Sequence, residues 1–497
     1  MKKKCIALVC AAALALSLMA CGTTGQTGTA DTDANTSAEQ TSAAVLSLEG
    51  ATTLTFTDSG VTASDRDYTG YEIDGTALTI DGAGTYILTG TCGSGSVTVK
   101  KGTAGVTLVL NGLDLTSADT APITCNKSTE VTICAADGSV NVLTDSAENN
   151  DESYPDNANA ENAVIKCKDG SRVTLCGTGS LTVNAKGKNG IKSGASTAEE
   201  GEASLTIREL TLTIDAPVND AVNAEQLLTI ESGTLNISAG DDALHSDLAL
   251  NIGADGTAGP TITIADCYEG IEGATLNIYS GDITINAADD CLNAANGDLS
   301  GYDFSMNISG GTITAYTSSG DGFDSNGDLN ITGGSVTVWS ASSADNQPLD
   351  ADGTIRITGG TVLAAGGSSG MGMSMTAEQP CVTFSFGGAG GFGGNSGSAL
   401  TKGSAVTIGS GSAAVYSGEA LCSAGFVFFS SPDLTAGSSY DLAAGGSTIA
   451  TAAAQTGSVQ TGMGGMDGQP GQMPGGSFDP GSAPTPPSGD FRPGNRQ

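Results

Sequence analysis

The sequence predicts an all-β chain wound as a parallel β-helix, a solenoid of short strands stacked in coils. Two observations predict this fold: a six-residue motif that recurs along the chain, and short segments in which apolar and polar residues alternate. Self-similarity at a period of about 20 to 50 residues is typical of solenoid proteins. A β-sandwich is the alternative, but sandwiches lack such self-similarity.

The recurring motif has an apolar fourth residue and a small sixth residue, as in "TAPITC" (120–125), "DDALHS" (241–246) and "NQPLDA" (346–351). Equivalent residues of successive coils should stack about 4.8 Å apart, the distance between neighbouring strands. The apolar residues are therefore predicted to form an inward aliphatic stack. These anchors are Ile123, Ile165, Ile191, Val222, Leu244, Ile271, Leu292, Phe323 and Leu349.

Two further alternating segments follow each motif, as in "ATLNIYSGDITINA" (274–287). Strict alternation of Thr, Ile and Val with polar residues predicts half-buried strands, and the glycine-containing pairs between them predict bends. Each coil should therefore contribute three short strands. The parallel β-helix domain is predicted to span residues 47–365.

The N-terminus "MKKKCIALVCAAALALSLMAC" has three lysines, a short apolar run and a final cysteine. A basic start followed by a short apolar core is typical of a secretory signal. The "LMAC" ending resembles a bacterial lipoprotein box, which implies that residues 1–21 are a lipoprotein signal peptide and that Cys21 is acylated. A plain signal peptide is the alternative. Acylation at Cys21 would place the protein on the extracellular face of the membrane, held by its lipid anchor alone.

Other segments lack any periodic pattern. Residues 22–46 are rich in Thr, Gly, Ala and Ser and are predicted to be a flexible linker. Glycine dominates residues 366–398, a predicted insertion, and Gly and Pro dominate residues 456–497, a predicted disordered tail. Between them, residues 399–455 are predicted to be a small C-terminal β segment that closes the domain.

The formal charge of −36 excludes nucleic acid as a partner, because no basic stripe can form. Nine cysteines follow Cys21, without the spacing of a zinc site. Cys125 and Cys167, and likewise Cys134 and Cys176, occupy equivalent positions in neighbouring coils. We expect them to be small buried residues, and a disulfide between neighbours stays open as an alternative.

The only histidine, His245, occupies the fifth motif position, which alternation directs outward. We predict an exposed side chain there, and no serine or cysteine is marked out as its catalytic partner. The second motif position differs from the variable fifth position, because it is acidic in five consecutive coils. Like charges that are stacked directly on one another repel. Carboxylates could bind Ca²⁺, which takes about six to eight oxygen ligands. The alternative is a solvated acidic edge. The candidate calcium ligands are Asp220, Asp241, Asp242, Glu269, Asp289, Asp290 and Asp321.

Two aromatic residues should lie side by side on adjacent coils. Aligning "GTITAYT" with "GSVTVWS" brings Tyr316 and Trp339 into register on the outward face. Exposed aromatic rings pack on sugar rings, with hydroxyl groups held by neighbours such as Asn286. The sequence therefore predicts a carbohydrate contact at these three residues. A surface ladder, or one covered by the glycine-rich insertion, is the alternative.

Three stretches together resemble a known family: "YEIDGTALTIDGAGTYILTG", "GDDALHSD" and "FVFFSSPDLTAGSSYDLAAGG". The family is the carbohydrate-binding domain of surface proteins from cellulose-degrading bacteria. The resemblance implies a right-handed, single-stranded parallel β-helix similar to pectate lyases. It also implies calcium binding and non-catalytic binding of cellulose and pectin-type polysaccharides. The acidic rungs at Asp241, Asp242, Asp289 and Asp290 fit the calcium-rich bends of the family.

Three functions are therefore under consideration. The first is a monomeric, non-catalytic, calcium-stabilised protein that binds polysaccharide at the cell surface. The second is a calcium-dependent polysaccharide lyase, which requires a base to remove the proton next to a uronate carboxylate. The candidate bases are few: Arg208, Arg356, Lys166 and Lys192. The third is a structural adhesin or spacer.

Overall fold

Short strands make up almost all of the regular structure. The computed structural model describes residues 48–65, 69–341, 346–366, 373–385 and 400–460. All the strands lie in one unit, which begins at Glu49. The described residues form no helix, and so none that is long and apolar enough to cross a membrane. The predicted signal peptide with Cys21, the linker 22–46 and residues 461–497 lie outside this described part.

The strands follow one another at short intervals along the chain. The first are β1 (Thr52–Thr57), β2 (Gly60–Ala63), β3 (Tyr71–Asp74), β4 (Ala77–Ile80), β5 (Gly84–Cys92), β6 (Ser96–Val99) and β7 (Val106–Thr116). The middle of the chain forms β8 (Ile123–Cys125), β9 (Glu130–Ala135), β10 (Val140–Thr144), β11 (Ala163–Cys167), β12 (Arg172–Cys176), β13 (Ser180–Asn184), β14 (Asn189–Ser193), β15 (Ser204–Ile207), β16 (Thr211–Ala216), β17 (Val222–Ala224), β18 (Leu227–Ile230), β19 (Thr234–Ala239), β20 (Leu244–Ile252), β21 (Thr261–Asp266), β22 (Ile271–Ile278), β23 (Asp282–Ala287), β24 (Leu292–Ala294), β25 (Ser305–Ile308), β26 (Thr312–Thr317), β27 (Phe323–Ser325), β28 (Asp328–Ile331), β29 (Ser335–Ser340), β30 (Ile355–Ile357) and β31 (Thr361–Gly366). The last are β32 (Ser374–Ser385), β33 (Ala405–Ser410), β34 (Ala413–Glu419), β35 (Phe426–Ser430), β36 (Ser439–Ala444), β37 (Ser447–Ala453) and β38 (Gln455–Gln460).

The middle strands form three parallel ladders, and each coil of the chain contributes one strand segment to each ladder. The first ladder contains β8, β11, β14, β17, the starts of β20 and β22, β24 and β27. The second contains β9, β12, β15, β18, the ends of β20 and β22, β25, β28 and β30. The third contains β10, β13, β16, β19, β21, β23, β26, β29 and β31.

The predicted stack of apolar anchors is confirmed. From Ile123 to Phe323 the anchors pair with one another in register along the first ladder, and Phe323 pairs with Leu349 through an isolated bridge. Each is at most 1% exposed, and all belong to one hydrophobic cluster. Full burial of such a side chain contributes about 1.5 to 3 kcal/mol, so the stack is a major source of stability.

The C-terminal residues cover the last coils differently from the prediction. Within the predicted insertion 366–398, Ser374–Ser385 forms β32, which pairs with β30. Strand β35 pairs antiparallel with both β31 and β32, and β38 pairs with β32, so residues 456–460 of the predicted tail are also strand. Alternating apolar residues such as Val382 and Phe384 outweigh the local glycine content. Strands β33, β34, β36 and β37 form a separate antiparallel sheet.

Candidate functional site

Five acidic residues occupy the same place in five successive coils, at the bend before the first ladder. We call Asp220, Asp242, Glu269, Asp290 and Asp321 the acidic column. The amide after each one donates a hydrogen bond to the carbonyl of the next: for example, Ala221 N to Asp242 O at 2.9 Å and Ala243 N to Glu269 O at 3.0 Å. The stacking that the sequence predicted is therefore present, because the backbone register aligns the column residue by residue.

Burial makes the charged form of the column costly. Asp220 and Asp242 are 4% and 7% exposed, and the other three are partly buried. Burial, and after it the neighbouring carboxylates, raise the pKa of Asp290 to about 8 and the pKa values of Glu269 and Asp321 to about 7. Without a cation, part of the column therefore carries protons at neutral pH.

One part of the column contains its own cation, because His245 lies among three carboxylates. Its Nδ1 is 2.8 Å from Asp242 Oδ2 and 3.1 Å from Glu272 Oε2, and its Nε2 is 2.8 Å from Asp247 Oδ1. An imidazolium can donate from both ring nitrogens, so this protonation state satisfies the acceptors on both sides of the ring. Burial alone would lower the pKa of His245, but the three hydrogen bonds outweigh it and raise the pKa to about 12.

The prediction that His245 is exposed is wrong. Its side chain does belong to the outward column of the first ladder, but it is only 18% exposed. Alternation predicts the direction of a side chain and not what surrounds it. Here carboxylates from its own coil and from the next coil enclose the ring.

A second cluster contains three carboxylates without such a cation. One oxygen each from Asp290, Asp321 and Asp324 lie within 4.8 Å of one another. In the part of the chain that the structure describes, none of the three forms an ion pair with Lys, Arg or His. Asp290 Oδ1 accepts a hydrogen bond from Asp321 N at 2.7 Å, and Asp321 Oδ1 accepts one from the Gln347 amide. The negative charge of this cluster is therefore balanced only by backbone amides.

A side-chain oxygen without a partner in the described part of the chain lies at the fifth motif position, in the column that also contains Asp324. Asn293 pairs in register with Asp324 on one side and Glu272 on the other, and its Nδ2 donates to Glu269 Oε2 at 3.0 Å. Its Oδ1 is buried and has no hydrogen-bond partner among the described residues. Carboxylate and amide oxygens are the donors that Ca²⁺ takes. The residues around Asp290 therefore fit a hard divalent cation.

The remaining predicted ligands do not join either cluster. Asp220 Oδ2 accepts a hydrogen bond from Asn223 Nδ2 at 2.6 Å, and its Oδ1 accepts one from Asp242 N. Glu269 is held by Asn293. Asp241 and Asp289 immediately precede Asp242 and Asp290 at the bend. The backbones of both residues hydrogen-bond to the backbone of Tyr268. The structure thus brings together Asp290 and Asp321, adds Asp324, and places Asp242 with His245.

The predicted aromatic contact is wrong at Trp339. Tyr316 and Trp339 do pair in register, but Trp339 is completely buried. It packs in a second hydrophobic cluster with Leu363 of the next coil and with Phe429 of β35, one of the strands that cover the last coils. Tyr316 is partly buried against the same cluster, with Lys402 Nζ 5.3 Å from its ring centroid. Asn286 is exposed, and its Nδ2 donates to Ala265 O.

Tyr268 is an exposed aromatic residue beside the acidic column that sequence reasoning missed. Its side chain is 49% exposed. Its amide donates to Asp241 O at 3.0 Å, and its carbonyl accepts from Asp289 N at 2.8 Å. The sequence contained a signal for this residue, because Tyr268 is the only aromatic residue at the first position of the six-residue motif.

Comparison with known proteins places the whole site within one family. The model of the carbohydrate-binding domain-containing protein family matches residues 74–372. The chain belongs to this family. The acidic column, His245 and Tyr268 all lie inside the matched residues, so they are features of the family domain in this member.

This family member is also similar to individual proteins. A carbohydrate-binding domain-containing protein of Acetivibrio thermocellus is 35% identical over 139 residues, which is 28% of this chain. The match covers 46% of that relative, less than half its length. A polysaccharide lyase-like protein from C. thermocellum, solved as a gadolinium derivative, shares 24% identity with a TM-score of 0.35. That match covers 62% of this chain and 96% of the solved chain.

Proposed function

We propose that this protein binds polysaccharide without catalysis, on a right-handed, single-stranded parallel β-helix stabilised by calcium. The observation that carries the proposal is the pairing of an exposed aromatic residue with a carboxylate cluster at the same bend. Tyr268 offers a flat apolar face to a sugar ring, and Asp241 and Asp289 offer hydrogen-bond acceptors to the hydroxyl groups of that sugar. Membership of the carbohydrate-binding family supports it.

Calcium would be held by Asp290, Asp321 and Asp324, with the Asn293 amide oxygen available in addition. Two observations support this: three carboxylates without a side-chain cation, and a buried oxygen without a partner. When bound, the ion would supply positive charge to a face that otherwise repels acidic glycans. A cellulose-like glycan would be retained through Tyr268, and a pectin-like glycan would need the ion as well.

The geometry disfavours His245, Lys166 and Lys192 as the base of a lyase. His245 is held by three carboxylates whose hydrogen bonds raise its pKa to about 12, so it is poorly suited to accept a proton near neutral pH. Burial, and after it Lys192, lower the pKa of Lys166, which suits a base. However, the first ladder places Lys192 four coils and Lys166 five coils from Asn293. At about 4.8 Å per coil even the smaller separation is about 19 Å, too far for one uronate to meet both the base and the ion.

The location of the protein is part of the same proposal. The basic start, the short apolar run and the "LMAC" ending support acylation at Cys21. Two acyl chains would hold the protein, as a monomer, on the extracellular face of the membrane. A surface-bound binding protein needs only this tether to hold the cell near insoluble glycan.

Retention on insoluble glycans tests the function. Protein without residues 1–21 is mixed with cellulose and with calcium-pectate gel. We expect wild-type protein on both, loss from pectate for Asp321→Asn/Asp324→Asn, and weaker retention on cellulose for Tyr268→Ala. Tyr154→Ala is the matched control. Tyr154 is 42% exposed, but it lies in the long loop of residues 145–162, which we call the excursion.

Two outcomes would contradict the proposal. Folded wild-type protein that is retained on no glycan would favour a structural adhesin or spacer. Rising ultraviolet absorbance in pectate solution, from an unsaturated uronate product, would establish a lyase.

A further inference from the structure

Two pairs of cysteines connect the same two neighbouring coils. Cys125 pairs in register with Cys167 between β8 and β11, and Cys134 pairs with Cys176 between β9 and β12. Each pair therefore places two thiols at the same register position on neighbouring strands. Between these coils the chain makes its excursion at residues 145–162, so the pairs join segments that the sequence separates widely.

The two pairs differ in access. Cys125 and Cys167 are 0% exposed and belong to the main hydrophobic cluster. Cys134 and Cys176 are 7% and 8% exposed and lie outside that cluster, because alternation along β9 directs Ile133 inward and Cys134 outward. The second pair therefore lies nearer to solvent than the first.

The backbone already holds the second pair within bonding range. Residues in register on neighbouring strands have Cα atoms about 4.8 Å apart, inside the range of about 4.4 to 6.8 Å that disulfides span. Gly177 follows Cys176, and a Cβ atom at Gly177 would lie 2.9 Å from the Cys134 sulfur. That sulfur therefore lies directly against the Cys176 segment, and glycine leaves room for it.

We propose that Cys134 and Cys176 are a modification site, which an exchange reaction with a small or protein disulfide oxidises to an internal disulfide. Cys134 thiolate attacks one sulfur of the oxidant, forms a mixed disulfide and releases one thiolate. Cys176, losing its proton to solvent, then attacks the Cys134 sulfur and displaces the second thiolate. Two electrons pass to the oxidant, which becomes two thiols.

The electrostatics agree with this order of attack. The hydrogen bond from Cys176 lowers the pKa of Cys134, whereas the pKa of Cys176 is raised by its hydrogen bond with Cys134 and by burial. A lowered pKa favours the thiolate form of Cys134, which agrees with attack by Cys134 as the first step. The bond would close a loop around the excursion and restrict the unfolded chain, which raises stability.

The test is a redox titration of the full folded chain. Protein is equilibrated in mixtures of reduced and oxidised glutathione, its free thiols are alkylated after unfolding, and peptides are identified by mass spectrometry. We expect one internal bond between Cys134 and Cys176, with Cys125 and Cys167 alkylated throughout. The melting temperature should rise on oxidation.

Variants make the test decisive. Cys176→Ser should hold glutathione on Cys134 as a stable mixed disulfide, whereas the control Cys422→Ser should form the internal bond normally. Alkylated Cys134 and Cys176 in fully oxidised glutathione would overturn the proposal, as would a bond that uses Cys125 or Cys167. The mapping on wild-type protein decides the question even if a variant does not fold.

Discussion

His245 lies directly over Glu272 of the next coil, with its Nδ1 3.1 Å from Glu272 Oε2. Asp242 and Asp247 complete the surroundings of the ring. The single histidine thus balances charge at one point of the acidic column. Among the described residues, no positively charged side chain pairs with the cluster around Asp290. The part of the column near His245 therefore has its own cation, whereas the part near Asp290 fits a metal ion.

Removal of the positive charge at residue 245 should destabilise the protein. His245→Gln leaves Asp242 and Glu272 buried against each other without a cation, which costs about 3 to 5 kcal/mol. His245→Lys keeps the charge and should lose less. Urea unfolding at pH 7 measures both. A loss below about 1 kcal/mol in His245→Gln would show that the imidazolium does not stabilise the column.

Stability without metal should fall as pH rises. The folded-state pKa values of Glu269, Asp290 and Asp321 are raised to about 7 to 8, so the folded state binds more protons than the unfolded state above about pH 4. His245 acts in the same direction, because its contribution is complete below about pH 6.5 and is lost as pH rises toward 12. Urea unfolding in EDTA should give a lower free energy at pH 8 than at pH 5. Equal values would contradict the pKa shifts.

Calcium should raise the melting temperature, and EDTA should lower it. An ion at about 100 times its dissociation constant adds about 2.7 kcal/mol to the free energy of unfolding. The variant Asp321→Asn/Asp324→Asn should lose calorimetric calcium binding and the effect of EDTA on melting. Asp282→Asn is the control, because Asp282 is exposed and lies on the third ladder. A wild-type melting curve that EDTA leaves unchanged would remove the calcium proposal.

Truncation of Trp339 should affect the fold and not the glycan. Trp339→Ala removes a completely buried side chain from the second hydrophobic cluster, which costs about 3 to 5 kcal/mol. Glycan retention per folded molecule should stay at the wild-type level. A variant with normal stability that is no longer retained on glycan would instead support the prediction that Trp339 contacts carbohydrate.

The sequence predicted the first ladder well and the surface above it poorly. The recurring motif and the alternation of apolar and polar residues are local patterns that the backbone register preserves. They therefore predict the stack from Ile123 to Leu349. The burial of Trp339 depends on strands such as Phe426–Ser430, far along the chain, and alternation cannot show whether an outward face is covered. The enclosure of His245 depends on carboxylates of a neighbouring coil and was missed for the same reason.

The antiparallel strand Phe426–Ser430 has a consequence for solubility. It forms hydrogen bonds with Thr361–Gly366, the last strand of the third ladder, and with Ser374–Ser385, which pairs with Ile355–Ile357 at the end of the second ladder. Unpaired edges of parallel ladders would offer a template on which a further copy could add end to end, as in fibril growth. Because this strand runs in the opposite direction and pairs with Thr361–Gly366, it blocks the addition of a further parallel strand to that edge.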